Sequence, residues 1–313
     1  MRIFLTGATG YIGSSVGVRL IAEGHTVTGL ARSAGSADAL RRIGIEPVSG
    51  TLDDRDVLAR AAAEADAVVN AADSDHLGAV HSLVEALDGS GKPLLHTSGS
   101  SIVGDDARGE ASDRIWTEEQ VLAPGWRPTP EKAARVAIDR RVLTAADRGI
   151  RSVVLCNTLI YGHGRGLARD SVQIPRLVRQ AESSRVARHI GRGANVWSNV
   201  HIDDVVELYL RALTDAPAGS FYFVENGEAS FKTMTDAIAG VLGLEPAQPW
   251  DIDSAIAEWG YEPAVYALGS NSRVRGTGAR TVLDWRPQHA SVTDWIQQEL
   301  SHTTSGAEVS SRK

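Results

Sequence analysis

The chemistry closest to the amino terminus lies between Gly7 and Gly13. The run Thr6-Gly7-Ala8-Thr9-Gly10-Tyr11-Ile12-Gly13 spaces its glycines as G-x-x-G-x-x-G. Gly7 permits a tight turn, Gly10 lets the backbone approach a pyrophosphate, and Gly13 lets a helix pack closely on the preceding strand. A helix opening at such a loop offers unpaired N–H groups and a partial positive charge to phosphate. Gly7, Thr9, Gly10, Tyr11 and Ile12 are therefore the expected contacts of a dinucleotide. The end of the second strand, Leu30-Ala31-Arg32-Ser33, then bears on which dinucleotide. An NAD site places Asp or Glu there to hold the ribose 2′-hydroxyl. No carboxylate is present here. Arg32 with Ser33 suits a 2′-phosphate, because a guanidinium fork can donate two bonds to it. NADP(H) is the expected cofactor.

Alternating strands and helices have to position this loop. Short apolar runs at Ile3–Leu5, Thr26–Ala31, Glu46–Ser49, Ala67–Asn70, Pro93–Thr97 and Ser152–Cys156 read as strands. Between them, helices are expected from Ile12 to a glycine stop at Gly24, then over Ala37–Ile43, Val57–Ala65, Leu77–Leu87 and Glu131–Arg148. Thr129 is the expected N-cap of the last of these, with Pro130 at its first position. The alternation predicts an α/β fold, a doubly wound parallel sheet of Rossmann type with a smaller C-terminal substrate-binding region. Residues 1–156, with about 200–218, are assigned to the dinucleotide-binding domain, and 157–199 with 219–300 to the substrate region. Further helices are expected at His201–Leu213 and Asp236–Leu244. The polar tail Ser301–Lys313 lacks periodicity and is expected to be disordered.

Composition narrows the function classes. The 313 residues are 42% apolar and 23% charged, an ordinary globular balance. A net charge of −7 argues against a nucleic-acid binder and against a polybasic membrane-surface protein. The single cysteine, Cys156, excludes a disulfide framework within the chain and suits a reducing cytoplasm. No signal peptide is apparent, and no run of about 18 apolar residues predicts a membrane span. A small-molecule substrate is the expected partner.

Several further segments carry a family resemblance. These are Gly50-Thr51-Leu52-Asp53-Asp54, Ala65–Ala72, His96-Thr97-Ser98-Gly99 through Gly104, Tyr161-Gly162-His163-Gly164, Val200–Asp204 and Leu283–Pro287. With the glycine loop they make the chain resemble the short-chain dehydrogenase/reductase superfamily in its extended or atypical branch. That branch holds epimerase/dehydratase-like enzymes and ketoreductases, some of which tailor polyketide antibiotics. The resemblance implies that Leu52 and Asp53 border the adenine, and that Asn70, Ala71 and Ala72 run beside the ribose and pyrophosphate. It implies that Thr97 and Ser98 lie near the nicotinamide ribose, and Asn157 and Thr158 near the nicotinamide. Asn271-Ser272-Arg273 would belong to the substrate region.

The superfamily's usual Ser or Thr, with Tyr and Lys in Y-x-x-x-K, is not found. Counting five residues back from Gly104 reaches Gly99, where the Ser or Thr would stand. The helix that should carry Y-x-x-x-K reads Pro128-Thr129-Pro130-Glu131-Lys132-Ala133-Ala134-Arg135. Setting Asp139 at the acidic position usual in that helix puts Glu131 at the Tyr place and Arg135 at the Lys place. A shifted register puts Pro128 and Lys132 there. Lys132 and Arg135 share a helix face, so either could reach the ribose. Carbonyl polarisation then falls to Ser98, Ser100 or Ser101. Tyr161 and His163 follow the sixth strand and are further candidates, His163 having a suitable unperturbed pKa. Glu131 would act as an acid only if burial raised its pKa, and an acidic hydroxyl on the substrate is another proton source.

His201-Ile202-Asp203-Asp204 matches no zinc spacing, and no metal is expected. Trp116, Trp126, Trp197 and Tyr161 could wall a flat substrate or simply fill core. Arg165, Arg176 and Arg192 could read phosphate or be solvated. Cys156 reads as a small buried hydrophobe. The leading expectation is an NADPH-dependent ketoreductase. Its rivals are a nucleotide-sugar epimerase or dehydratase, and a non-catalytic NADP(H)-sensing protein.

Overall fold

In strand β1 (Arg2–Thr6), Ile3 and Leu5 enter one apolar layer and Phe4 enters another, and all three are fully buried. Side chains alternate across a strand, so an unbroken apolar run means burial on both faces, as in parallel sheets covered by helices. The computed structural model, which describes residues 1–299, sets this strand inside a seven-stranded sheet. The chain continues through α1 (Tyr11–Ala22), β2 (Thr26–Ala31), α2 (Ala34–Arg42), β3 (Glu46–Ser49), α3 (Arg55–Glu64), β4 (Ala67–Asn70), α4 (Leu77–Ala86) and β5 (Pro93–Gly99). Next come β6 (Trp116–Thr117), α5 (Glu118–Leu122), α6 (Ala133–Thr144) and β7 (Arg151–Asn157). The later elements are β8 (Leu159–Tyr161), α7 (Gln173–Ser184), β9 (Arg188–Ile190), β10 (Val196–His201), α8 (Ile202–Asp215), β11 (Ser220–Val224) and β12 (Glu228–Ser230). They are followed by α9 (Phe231–Val241), β13 (Gln248–Trp250), α10 (Ile252–Trp259), β14 (Val274–Arg275) and α11 (Gly278–Val282).

The large sheet runs β11-β7-β5-β4-β1-β2-β3, and every neighbouring pair is parallel. Helices α1, α2 and α8 cover one face, and α3, α4 and α6 cover the other. This is the expected doubly wound α/β architecture. The winding reverses between β1 and β4, and that reversal opens a crevice beyond the carboxyl ends of the strands. A third apolar cluster holds the smaller region, where α7, α9 and α10 pack beside the three-stranded sheet β12-β10-β8.

Three expectations change in detail. The helix expected over Glu131–Arg148 is a 3-10 turn at Pro130–Lys132, then α6, then a second 3-10 turn at Ala145–Arg148. Thr129 makes no side-chain cap bond there, and Gly149 ends the run with φ +68°. The helix expected at Asp236–Leu244 begins earlier, because the Ser230 side chain caps it by accepting from the Thr233 N–H. Ser220–Val224, assigned from sequence to the smaller region, is the outer strand of the large sheet and pairs with β7. Its Phe221 and Phe223 enter one layer and its Tyr222 and Val224 the other, the same two-faced burial seen in β1. The tail Ser301–Lys313 lies outside the described residues. Among those residues no helix is long and apolar enough to cross a membrane.

Candidate functional site

The glycine loop joins β1 to α1 at the reversal point. Gly7 has φ +66°, and a Cβ there would sit 2.3 Å from the Ala71 carbonyl oxygen, so the loop lies flat against the end of β4. A Cβ on Gly13 would sit 2.2 Å from the Gly7 carbonyl oxygen. Gly10 is the N-cap of α1 and supplies no side-chain cap bond. The first bond of the helix runs from the Ser14 N–H to the Gly10 carbonyl, 2.9 Å. The N–H groups of Tyr11, Ile12 and Gly13 therefore have no partner in the preceding turn, and they point out of the positive end of the helix. This cradle fits a dinucleotide pyrophosphate: donors converge, and no Cβ stands in the way.

Beside the loop is a cleft of about 410 Å³. Of the residues expected at the cofactor, Tyr11, Ile12, Ala71, Ala72, Thr97, Asn157 and Thr158 line it. The serines Ser98, Ser100 and Ser101 line it as well, with Arg135. Ile160, Val172 and Trp197 form its apolar side. Thr9 is exposed at the tip of the loop.

Other predicted residues have different surroundings. Arg32 is exposed just after β2 and makes no ion pair among the described residues, whereas the Ser33 hydroxyl caps α2 by accepting from the Ser36 N–H, 3.2 Å. Leu52 packs on the second apolar layer, and the exposed Asp53 meets His76 at 3.2 Å. Asn70 is buried, and its amide accepts from Thr6 Oγ1 at 2.5 Å and donates to His96 Nδ1 at 3.0 Å. Lys132 is turned away from the cleft, paired with Glu262 at 2.5 Å under the ring of Tyr266. Arg135, one turn later, holds the Asp75 carboxylate with two of its nitrogens and donates from Nη1 to Ser101 Oγ at 2.9 Å.

Tyr161 and His163 do not reach the cleft. Alternation along β8 gives the cleft side to Ile160, so Tyr161 points into the third apolar cluster, where its hydroxyl donates to the His289 carbonyl at 3.1 Å. His163 packs edge-on to Trp295, and its Nε2 lies 3.6 Å from Glu299. Burial lowers its pKa. Among the described residues lining the cleft, Tyr11 is the one tyrosine. Its hydroxyl donates to the Gly162 carbonyl at 2.8 Å, and burial raises its pKa, so its proton is held. Glu131 is exposed.

The tryptophans divide. Trp197 faces the cleft, and its indole N–H is held by the Ser270 carbonyl at 2.9 Å, whereas Trp116 and Trp126 pack edge to face in a separate hollow. His201 caps α8 by accepting from the Asp203 N–H at 3.2 Å, and Asp203 is held bidentately by Arg165. His201, Asp203 and His289 place ligand atoms within 4.8 Å of one another, but those two contacts already use His201 Nδ1 and the Asp203 carboxylate. Cys156 is fully buried, and burial raises its thiol pKa.

Sequence reasoning missed a buried network under the floor of the cleft. Ser98 Oγ donates to Asp139 Oδ2 at 2.8 Å, and His96 Nε2 lies 3.6 Å from Asp139 Oδ1. Burial pushes Asp139 up to about 7 and His96 down to about 4. The available signals were a histidine in the middle of the apolar run Pro93–Thr97 and an aspartate between Val136 and Val142 on a helix.

The NAD dependent epimerase/dehydratase family matches residues 3–224. An oxidase of Acremonium sp is 33% identical over 325 aligned residues, covering 91% of this chain and 92% of that protein. A ketoreductase of Stigmatella aurantiaca, named for 4-hydroxy-2-methyl-3-oxo-4-farnesyl-3,4-dihydroquinoline-1-oxide, is 26% identical, covering 95% of this chain and 96% of its own. Among solved structures, the UDP-glucose 4-epimerase of Thermotoga maritima has a TM-score of 0.75 at 17% identity, covering 98% of this chain and 100% of that one. The dTDP-glucose 4,6-dehydratase of Bacillus anthracis in complex with NAD has a TM-score of 0.74 at 18% identity, covering 98% and 96%. At these identities the solved structures bear on the fold alone.

Proposed function

The chain belongs to the NAD dependent epimerase/dehydratase family, and from that premise we propose that it is an NADPH-dependent ketoreductase acting on a small, uncharged organic ketone. The wall of the cleft carries this reading. Among the described residues lining it, Arg135 is the one charged side chain, and it is already paired with Asp75. A substrate diphosphate would be desolvated there without a free cation. A flat apolar ketone would instead meet Trp197, Ile160 and Val172. The Stigmatella ketoreductase, similar along nearly its whole length, supports the same reaction class.

The backbone N–H groups at the start of α1 would hold the pyrophosphate. Arg32 would meet the 2′-phosphate, to which its fork is suited. Reduced nicotinamide, when bound, supplies hydride to a carbonyl carbon. The chain must then orient the ketone and stabilise the charge on its oxygen. Proton bookkeeping ranks the three serines. Ser272 Oγ donates to the Ser100 carbonyl, so the contact between the two hydroxyls uses the Ser100 proton. Ser98 donates to Asp139. Ser101 accepts from Arg135, which leaves its own O–H free for the cleft and polarised by the guanidinium. Ser101 is the expected donor to the carbonyl oxygen.

The test mixes the protein and NADPH with aromatic and aliphatic ketones and follows NADPH absorbance. Turnover of apolar ketones, and kcat lowered about 100-fold in Ser101→Ala, is the expected result. Tight NADPH binding with no ketone reduced would overturn the reading. So would a sugar nucleotide converted without net cofactor consumption.

A further inference from the structure

The structure assigns a proton-delivering pair to this cleft: resting on the ketoreductase reading, we propose that the Asp139 carboxyl is the acid and that Ser98 passes its proton to the reduced carbonyl oxygen. Asp139, on α6, and Ser98, on β5, are both buried, and Ser98 also lines the cleft. The carboxyl is poorly supported as an anion. Among the described residues its Oδ2 receives one hydrogen bond, from Ser98 Oγ, and its Oδ1 receives none. His96 Nε2 lies 3.6 Å from Oδ1, beyond hydrogen-bond distance, and has no hydrogen-bond partner among the described residues. The His96 tautomer is fixed: Thr6 donates to Asn70 Oδ1, Asn70 Nδ2 donates to His96 Nδ1, and the imidazole proton therefore sits on Nε2.

The other groups facing Asp139 compensate its charge only in part. Arg135, one turn back on α6, favours the Asp139 anion, but it is paired with Asp75, whose charge opposes it, and burial outweighs both the Arg135 charge and the Ser98 hydrogen bond. Cys156, on β7, is buried and its thiol pKa is raised. A buried carboxylate with a single good hydrogen bond is costly, and a neutral carboxylic acid is not. The value of about 7 for Asp139 agrees with this geometry.

Protonation reverses the hydrogen bond. Asp139 Oδ2–H donates to Ser98 Oγ, and the Ser98 O–H turns into the cleft that the side chain lines. Reduction at the carbonyl carbon moves the carbon–oxygen π pair onto oxygen. That oxygen then takes the Ser98 proton while Ser98 takes the Asp139 proton. One O–H bond forms on the product and one is lost from Asp139, which becomes a carboxylate. After the alcohol leaves, water in the open cleft returns a proton through Ser98. Ser101, held by Arg135, polarises the same oxygen, whereas Ser98 protonates it.

The test uses Asp139→Asn, which keeps the shape and a polar contact to Ser98 but carries no acid proton. Infrared titration of the protein without cofactor is expected to show a protonated carboxyl band at pH 6 that fades by pH 8 and is missing in Asp139→Asn. In ketone reduction, wild-type kcat is expected to fall as pH rises through neutrality. Asp139→Asn is expected to lose about 100-fold in kcat and that pH limb together. Its NADPH dissociation constant, read by fluorescence, should stay within about twofold of wild type, as expected for a group that acts on the proton and not on binding. An Asp139 ionised across the whole range overturns the relay and leaves the ketoreductase reading standing, as does undiminished kcat in the variant. A wild-type protein that binds NADPH and reduces no ketone overturns that reading and the relay with it.

Discussion

The same alanine substitution has different consequences at Gly13 and Gly10. At Gly13 the new Cβ would lie 2.2 Å from a backbone oxygen that cannot give way, so the loop must move. Gly13→Ala is expected to cost about 2–3 kcal/mol in urea unfolding as well as cofactor binding. At Gly10 the Cβ meets the Gly7 carbonyl at 3.2 Å, a contact that a small shift relieves. Gly10→Ala should stay folded yet lose NADPH affinity, because its methyl occupies the space the phosphates approach. Arg32→Ala is expected to weaken NADPH about tenfold and leave NADH unchanged; equal losses for both would remove Arg32 from the 2′-phosphate. Residues of this kind were legible from sequence because their partners are near neighbours in the chain. The Asp139 network was not, since Thr6 and Asn70 are 64 residues apart and Ser98 and Asp139 are 41 apart. Lys132 and Arg135 share a helix-sized spacing, and only the packing of Tyr266 and Glu262 shows which of the two faces the cleft.

At the scale of elements, the start of α8 ties the sheet to the segment that follows α11. Both oxygens of the buried Asp204 accept backbone N–H groups, from Gln288 at 2.8 Å and His289 at 2.9 Å, and the Asp204 carbonyl receives the Trp285 indole at 3.0 Å. Asp204→Ala would leave two donors without an acceptor. It is expected to lower stability by about 3 kcal/mol, with Asp204→Asn intermediate; equal urea midpoints for the three proteins would contradict this. The early strands and helices follow hydrophobic period and glycine stops, which are local properties, and their sequence assignments needed only shifts at the ends. The sequence reading places no strand at Ser220–Val224, because a five-residue apolar run does not report which sheet it joins. Its pairing with β7 is set by the layers it fills, and no neighbour in sequence reports them.

Across the whole molecule, buried titratable groups set the response to acid. Burial holds His96 and His201 at about 4, so the unfolded chain takes up protons below about 6.5 that the folded chain refuses. His163 and His189 are shifted in the same direction. Stability is therefore lost as pH falls from 6.5 toward 4, by up to about 1.4 kcal/mol per pH unit for each proton of difference. Asp139 works the other way. Its raised pKa keeps a proton on the folded state that the unfolded state has released, a contribution present at low pH and lost as pH rises through about 7. Net acid destabilisation is expected between pH 6.5 and 4.5, steeper in Asp139→Asn than in wild type; parallel melting-temperature curves for the two would show that folding does not raise the Asp139 pKa.

One of the two edge strands of the large sheet, β11, is made late, and that delay matters during synthesis. Some sixty residues of helix, loop and smaller sheet leave the ribosome between Asn157 and Ser220. Throughout that interval the nascent β7 offers one flank of bare amides and carbonyls to any extended peptide nearby. A fragment stopping at residue 215 should therefore aggregate more readily than the 313-residue chain, which makes this sheet a natural client for a chaperone until its last strand arrives.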